Sequence, residues 1–320
     1  MKFRAWIIAL IGLASVFAAA AQEYPDRPIH LIVPFPPGGG IDGVARMIQQ
    51  EFGKALGQTI VVENRVGAGG RVGGSRVAKA APDGYTLLMV FDSHAVDGLI
   101  NKDMPYDPLE DLTPVSLMVT APLLAVVPKD LPVDDIPALL AYAKANPKAV
   151  TFGSSGVGSS QHLVGELFAM ETRTAMTHIP YKGGAEGMKD LLGGRLALMW
   201  FSPPSAQQLV RTGRAKLLGL AAETRMDLFP DLKTVSEQGV AGFTASAWIG
   251  MVAPAKTPPE TVRRIHAALL KATSQPSVAA EIKARGYTPM MSTPAEFGTF
   301  LRAENAKWAH LIKEAGIPLQ

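Results

Sequence analysis

Two glycine- and serine-rich stretches carry the residue types that bind anions. The first, from Pro34 to Gln49, reads PFPPGGGIDGVARMIQ, and the second, from Phe152 to Phe168, reads FGSSGVGSSQHLVGELF. Each follows an apolar run and precedes apolar residues at helical spacing, which predicts a strand, a tight loop and a helix. Glycine permits close backbone approach, and the first turn of a helix presents unpaired N–H groups with a partial positive charge. Both loops are therefore predicted to bind an anion, either a carboxylate or a phosphate.

The first loop also fits a dinucleotide-binding motif. Residues 38–43 match G-x-G-x-x-G, and the acidic residue Glu63 follows the next predicted strand, as in a Rossmann-type NAD(P)-dependent oxidoreductase. Pro36 and Pro37 remove two backbone donors just before the glycines, which counts against this alternative.

Some of these loop residues also have purely structural explanations. Asp42 either contacts the anion or serves as the N-cap of the following helix. In the second loop, Ser154, Ser155, Ser159 and Ser160 offer hydroxyl donors. One of Ser159 and Ser160 is expected to cap the helix after it.

Local catalytic motifs do not occur in the sequence, which has no H-E-x-x-H, S-x-x-K or G-x-S-x-G pattern. A secreted serine hydrolase stays an alternative, because the members of a Ser/His/Asp triad need not be close in the chain. His162 and Glu166 stand four apart on one predicted helix, which is half of a metal site. With no third ligand evident, we expect a surface or capping role for them. We predict no catalysis, no metal and no cofactor.

The predicted elements that position these loops alternate between strand and helix. Strands at 29–33, 86–91 and 216–221 and helices at 42–56 and 161–170 exemplify the pattern, which predicts an α/β fold with parallel-rich sheets of right-handed βαβ units. The C-terminal part is predicted to be helical over 259–273, 277–285 and 294–315.

Two similar apolar segments divide the chain. TAPLLAVVPKDLP (120–132) and SAWIGMVAPAKTP (246–258) are strand-like and end in proline. If both are crossover strands, residues 22–121 with 250–320 form one domain and residues 122–249 form the other, with a hinge and a ligand cleft between them. The alternative is a linear arrangement in which the C-terminal helices form their own bundle.

The first residues predict export. Residues 1–4 are basic, 5–18 are apolar and 19–21 are small. This is the pattern of a secretory signal peptide over 1–21, cut before Gln22 or one residue earlier. A membrane anchor is the alternative, but the apolar run is shorter than the ~20 residues that a spanning helix needs. We predict an exported protein.

Composition excludes several classes of function. The 320 residues contain no cysteine, so disulfides, thiolate metal sites and cysteine nucleophiles are excluded. Loss of Lys2 and Arg4 with the signal peptide leaves 29 of the 31 basic residues against 28 acidic ones. This near-neutral balance, without runs of basic residues and aromatics, argues against nucleic acid as a partner.

Several motifs in a fixed order resemble one known family across the whole mature chain. They include YPDRPIHLIVPFPPGGGIDGVAR, VVENRVGAGGRVG, APDGYTLLMV, HIPYKGG and FPDLKTVSEQGVAGF. The chain resembles the Bug-type periplasmic solute receptors of tripartite tricarboxylate transporters. The resemblance implies a two-lobed periplasmic binding protein of the type II Venus-flytrap fold. It also implies a monomer that delivers a small carboxylate, an aliphatic or aromatic mono- or dicarboxylate, to membrane transport subunits.

The resemblance, together with the two loops, gives a set of predicted ligand-binding residues. They are Pro37, Gly38, Gly39, Gly40, Asp42, Gly67, Ala68, Ser93, His94, Ser154, Ser155, Gly156, Ser159, Tyr181, Gly183, Ser202 and Ser246.

The sequence departs from the family pattern in two places. Ser202 stands where relatives often carry Asp, which removes a partner for a ligand ammonium group, so amino acids are disfavoured as ligands. Asp97-Gly98 replaces a common Asn-Pro, which changes the shape expected for that wall. Six aromatic residues are expected to be core more often than pocket, and two or three in the cleft would favour an aromatic carboxylate. They are Phe35, Phe91, Tyr181, Trp200, Phe201 and Trp248.

Overall fold

The computed structural model describes residues 24–146 and 150–319. The predicted signal peptide and its cleavage site lie outside these ranges. Within them, no helix is both long and apolar enough to cross a membrane.

The described residues form two sheets, and each sheet is the centre of one lobe. The first sheet contains β1 (Ile29–Val33), β2 (Ile60–Asn64), β3 (Thr86–Phe91), β4 (Leu112–Pro122), β10 (Ser246–Pro254) and β11 (Thr288–Pro289), in the order β11-β4-β10-β3-β1-β2. The second contains β5 (Leu124–Pro128), β6 (Thr151–Ser154), β7 (Thr177–Pro180), β8 (Leu198–Phe201) and β9 (Ala215–Leu220), in the order β7-β6-β8-β5-β9.

Pairing within each sheet is mixed. β1 pairs in parallel with β2 and β3, and β6 pairs in parallel with β7 and β8. These are the predicted βαβ units. β10 is antiparallel to β3 and β4, and β5 is antiparallel to β8 and β9. The antiparallel pairs arise because strands that come from the opposite lobe run against the βαβ strands.

The chain passes between the lobes at a small hydrogen-bonded waist. Leu123 separates β4 from β5; its N–H donates to the Ala245 carbonyl at 2.9 Å, and its own carbonyl accepts from Ala221 N–H at 2.8 Å. The return into the first sheet begins at Ser246, which pairs with Pro122, rather than near Gly250. The division into domains 22–121 with 250–320 and 122–249 stays a prediction.

Ten helices cover the sheets in the described part of the chain. They are α1 (Gly40–Leu56), α2 (Arg71–Ala78), α3 (Asp97–Ile100), α4 (Ile136–Ala145), α5 (Ser160–Thr172), α6 (Gly184–Leu192), α7 (Pro203–Arg211), α8 (Pro259–Thr273), α9 (Pro276–Ala284) and α10 (Pro294–Glu314).

Helix α1 shows how sequence pattern becomes packing. Val44, Ile48 and Phe52 recur four residues apart, so they share one face and are fully buried. The helix ends at Gly57, whose left-handed φ of 76° suits glycine. Replacing Phe52 with Ala at such a site costs about 3–5 kcal/mol of stability.

The C-terminal helix α10 contacts both lobes. Phe297 and Leu301 belong to the apolar cluster beneath the first sheet, whereas Trp308 and Leu311 belong to the core of the second lobe. The C-terminal helices therefore do not form a separate bundle, and the linear alternative is wrong.

Candidate functional site

A cavity of about 330 Å³ lies where the two lobes meet; we call it the cleft cavity. Its size lies at the lower end of the range for small-molecule sites. The first lobe lines it with Phe35, Ala68, Gly69, Arg71, Phe91, Asp92, Ser93, Val96, Asp97, Ile100 and Asn101, and the second lobe with Ser155, Val157, Gly158, Ser159 and Ser160.

The first-lobe wall is built at the carboxyl ends of strands, where ligands of α/β folds usually bind. Ser93 follows β3 in a short 3₁₀ turn. Ala68 and Gly69 lie in the turn before α2, where Gly69 and Gly70 have left-handed φ values of 68° and 103°. These glycines bend the chain so that α2 begins at Arg71, which faces the cavity.

The second-lobe wall is the loop between β6 and α5. Ser159 is the N-cap of α5, since its Oγ accepts from His162 N–H at 3.4 Å, and it donates to the Gly156 carbonyl at 2.8 Å. The predicted capping role is confirmed for Ser159. Ser155, which is exposed, has its N–H held by Gln161 at 2.9 Å, so its hydroxyl is oriented by a fixed backbone.

Burial shifts the pKa values of two carboxyl groups on the first-lobe wall. Burial raises the pKa of Asp92 to about 8, against the lowering effect of Ser160 and Ser93. Burial also raises the pKa of Asp97 to about 7, and the charge of Arg71 opposes that rise. Arg71 contacts the Asn101 side chain and makes no ion pair within the described residues. Its guanidinium therefore retains donors for a ligand carboxylate.

Two of the six aromatic candidates line the cleft cavity. Phe35 and Phe91 meet edge to face, with ring centroids 6.2 Å apart and planes at 66°. Trp200, Phe201 and Trp248 are buried in the cores, as expected for most of the set. The cavity thus has an apolar side for the body of a ligand.

The Pro37–Gly40 loop does not line the cleft cavity, and part of its donor capacity is used internally. Gly38 N–H donates to the Asp42 carboxylate at 2.8 Å, and Gly39 N–H to the Pro36 carbonyl at 3.4 Å. The first hydrogen bond of helix α1 runs from Gly43 N–H to Gly39 O. The N–H groups of residues 40–42 precede that bond and have no partner within the helix.

Asp42 is not the helix N-cap, because Gly39 holds that position and Asp42 lies in the first turn. Asp42 is 99% buried, and its side chain accepts bonds from Gly38, Arg46 and Asn64 at 2.8–2.9 Å. Desolvation works to raise its pKa, but these three bonds together lower it. Its carboxylate holds the loop to α1 and β2.

The other predicted residues lie off the cavity wall. Ser154 is buried, and its Oγ lies 2.6 Å from His178 Nε2. His94 is buried, and desolvation lowers its pKa to about 4. Tyr181 donates its hydroxyl to Asp190 at 2.8 Å. Ser202 precedes α7 as its N-cap. Gly67 starts the turn before α2, Gly156 lies behind Ser155, Gly183 precedes α6, and Ser246 opens β10.

His162 and Glu166 acquire a third neighbour that the sequence did not reveal. The donor atoms of His162, Glu166 and His178 lie within 4.8 Å of one another. His162 is 97% buried, so the expected surface role is wrong. His178 lies on β7, a short and partly polar strand that the pattern missed.

The geometry of this cluster is that of a loop support. His162 Nδ1 accepts from Gly158 N–H at 3.1 Å, so its proton sits on Nε2, beside Glu166 at 3.5 Å. The rings of His162 and His178 stack with centroids 3.8 Å apart, so their in-plane lone pairs run side by side rather than converge on one ion. Through Gly158 and Ser154, the two imidazoles hold both ends of the second-lobe loop.

Sequence reasoning placed Ala68, Ser93, Ser155 and Ser159 on the cleft cavity and missed Arg71, Asp92 and Asn101. Asp92 stands directly after a buried strand, which is the same positional signal that selected Ser93.

Comparisons with known proteins agree with this architecture. Residues 44–317 match the family described as tripartite tricarboxylate transporter family receptor. Protein BugT of Bordetella pertussis is 38% identical over 315 residues, which cover 98% of this chain and 96% of that one.

Two solved structures match over nearly their whole length. The structure described as R. palustris Rpa4515 with adipate is 34% identical, with a TM-score of 0.84 over 92% of this chain and 99% of that one. MatC from Rhodopseudomonas palustris with bound malate is 31% identical, with a TM-score of 0.79 over 90% and 100%. Two mixed sheets of this topology do not fit the single doubly wound sheet of the Rossmann alternative. The chain belongs to the tripartite tricarboxylate transporter family receptors, which are periplasmic solute-binding proteins.

Proposed function

We propose that this protein is a monomeric periplasmic receptor that binds one small carboxylate in the cleft cavity and delivers it to the membrane subunits of a tripartite tricarboxylate transporter. The observation that carries the proposal is the juxtaposition of Arg71 on one lobe with the hydroxyl of Ser155 on the other. A guanidinium and hydroxyl donors are the groups that bind a carboxylate.

The relatives support the class of ligand. Their structures contain adipate and malate, both carboxylates. In this chain, Phe35 and Phe91 supply an apolar wall, which suits a ligand with an aliphatic or aromatic body. Closure over the ligand brings contacts from both lobes, so ligand shifts the population toward the closed state. The receptor has no catalytic role in this proposal, and no metal or cofactor takes part.

A serine hydrolase would need a hydroxyl beside an imidazole, and Ser154 Oγ lies 2.6 Å from His178 Nε2. Ser154 is fully buried, however, and its Oγ also bonds with both the N–H and the carbonyl of Gly156. The pair therefore fits a loop anchor better than a nucleophile and its base.

A thermal-shift screen of the mature protein tests the proposal. A binding carboxylate at a hundred times its Kd adds about 2.7 kcal/mol of stability, which raises Tm by roughly 5 °C in a protein of this size. Nicotinamide dinucleotides should leave Tm unchanged. A panel of mono-, di- and tricarboxylates without any stabilising member would refute the proposal. Mass spectrometry of the protein from a periplasmic fraction should give an N-terminus at Gln22 or one residue earlier.

A further inference from the structure

The cleft cavity contains one carboxyl group whose hydrogen bonds are unaccounted for. Asp92 is 95% buried, and neither of its carboxylate oxygens has a hydrogen-bond partner within the described residues. The hydroxyl of Ser160 and the N–H of Ser93 approach it without ordinary hydrogen-bond geometry. Buried polar groups are almost always satisfied, so an unpartnered carboxyl on a cavity wall indicates a partner that arrives with the ligand.

The charges around Asp92 restrict that partner. Asp97 and Arg71 line the same cavity, so two carboxyl groups share it with one guanidinium. Glu304 lies behind Asp92 and adds to the negative field. A ligand that is negative throughout meets Arg71 favourably at one end, but at the other end it can only accept a hydrogen bond from a protonated carboxyl group. An ammonium group instead favours the ionised form of Asp92 and forms a charge-assisted hydrogen bond with it. A ligand with an anionic and a cationic end matches both parts of the wall.

We propose that Asp92 determines specificity by binding the ammonium group of an amino carboxylate whose carboxylate group faces Arg71 and Ser155. This inference rests on the proposed function and narrows its ligand class. It reverses the expectation drawn from Ser202, because Ser202 lies off the cavity wall, whereas Asp92 supplies the carboxylate that Ser202 lacks.

The protonation state of Asp92 gives the proposal a second signature. With a pKa of about 8, Asp92 is mostly protonated at pH 7 in the empty cavity. An ammonium group beside it favours the ionised form. Binding of an amino carboxylate therefore releases a proton, whereas binding of the corresponding unsubstituted carboxylate does not draw one from Asp92.

The test compares ligands that differ only in one substituent. Two triplets share their skeletons: succinate, malate and aspartate, and 3-phenylpropionate, phenyllactate and phenylalanine. Isothermal titration at pH 7 in two buffers of different ionisation enthalpy gives both the Kd and the number of protons released. We expect the amino member of at least one triplet to bind about tenfold or more tightly than its unsubstituted and hydroxy counterparts, with proton release.

The Asp92→Asn variant links this preference to the side chain. It should abolish proton release and weaken the amino carboxylate about tenfold or more, while the unsubstituted carboxylate binds unchanged or better. Asp103→Asn, at an exposed aspartate away from the cavity, should behave as the native protein. Because Asp92 is unpartnered without ligand, Asp92→Asn should not lower the Tm of the ligand-free protein. A lowered Tm would show a structural partner and overturn the proposal.

The outcomes separate this inference from the proposed function. If no carboxylate of any kind binds, the proposed function fails and this inference fails with it. If unsubstituted or hydroxy carboxylates bind as tightly as the amino members, or Asp92→Asn leaves the preference intact, the receptor function stands and the role of Asp92 is overturned.

Discussion

Gly158 is one of the points where the second-lobe loop touches the first lobe, which makes it a test of lobe closure. Its φ is +80°, and a Cβ built on it would lie 2.5 Å from Cδ1 of Ile100. Ile100 belongs to α3 and is 98% buried. Carbon atoms in contact prefer about 3.5–4.0 Å, so Gly158→Ala creates an overlap between the lobes.

Two separate costs follow from this substitution. Alanine in the left-handed region costs about 1–2 kcal/mol, and this strain is present whether or not ligand is bound. The overlap with Ile100 exists only when the lobes meet. Relieving it by moving Ile100 off its rotamer costs about 0.5–1.5 kcal/mol. If closure accompanies binding, as proposed, Kd should rise roughly two- to tenfold.

Isothermal titration with the tightest carboxylate from the screen measures the effect, and two variants isolate its cause. Gly213→Ala has the same kind of strain, with φ +68° and no atom within 4 Å of the added Cβ, so Tm should fall by a few degrees without a change in Kd. Ile100→Val removes Cδ1, the overlapping atom. The double variant Gly158→Ala with Ile100→Val should therefore regain most of the lost affinity relative to Ile100→Val alone.

Two results would refute this reasoning. Native affinity in Gly158→Ala would mean that the lobes do not meet at this contact in the liganded protein. If Gly158→Ala costs as much affinity in the Ile100→Val background as in the native one, loop strain rather than the overlap weakens binding.

Three further predictions concern the loops and their supports. Asp42→Asn should lower the free energy of unfolding by about 1.5–3 kcal/mol through weaker bonds to Arg46 and Gly38. Because the pKa of Asp42 is lowered in the folded protein, the stability of the native protein decreases as the pH drops below about 4, and the variant should lack this decrease. A plot of variant stability against pH that runs parallel to the native one would contradict this. His178→Gln should flatten the pH dependence of Tm between pH 6.5 and 3. Desolvation and His162 lower the pKa of His178 to about 3, so on acidification the unfolded chain takes up a proton before the folded protein does, and the native stability decreases as the pH decreases. An unchanged pH profile would mean that another group is responsible for the titration. Gly39→Val should keep the fold, since Gly39 has an ordinary φ of −73°, and should leave the affinity for a ligand in the cleft cavity unchanged, because the Pro37–Gly40 loop does not line that cavity; a weakened affinity would show that the ligand reaches the first turn of α1.

The elements with strong periodic patterns were predicted almost to the residue. β1, β3 and α8 have the expected bounds because buried apolar runs and a proline at the helix start determine them locally. β7 and β11 were missed, since they are short and largely polar or exposed. Their pairing depends on strands distant in the chain, which no local pattern records.

The candidate site was harder to predict because function depends on which way groups face. The residues of both loops were recognised, but a glycine-rich sequence shows only that the backbone can be approached. In the first loop, Gly38 and Gly39 direct their N–H groups to Asp42 and Pro36. In the second, Ser155 and Ser159 reach the cavity while Ser154 turns inward to His178. Neighbouring residues of one type thus have opposite roles, and the sequence does not distinguish them.

Asp92 shows the reverse case, in which the structure reveals a candidate that the family pattern did not indicate. The absence of an acidic residue at Ser202 disfavours an ammonium partner only if that position lines the cavity. The cavity instead takes its buried carboxyl from the end of β3, on the opposite lobe. A charge that selects a ligand is defined by its place on the cavity wall, and different strands can bring a carboxylate there. Ligand class in this family therefore has to be inferred from the assembled wall rather than from one sequence position.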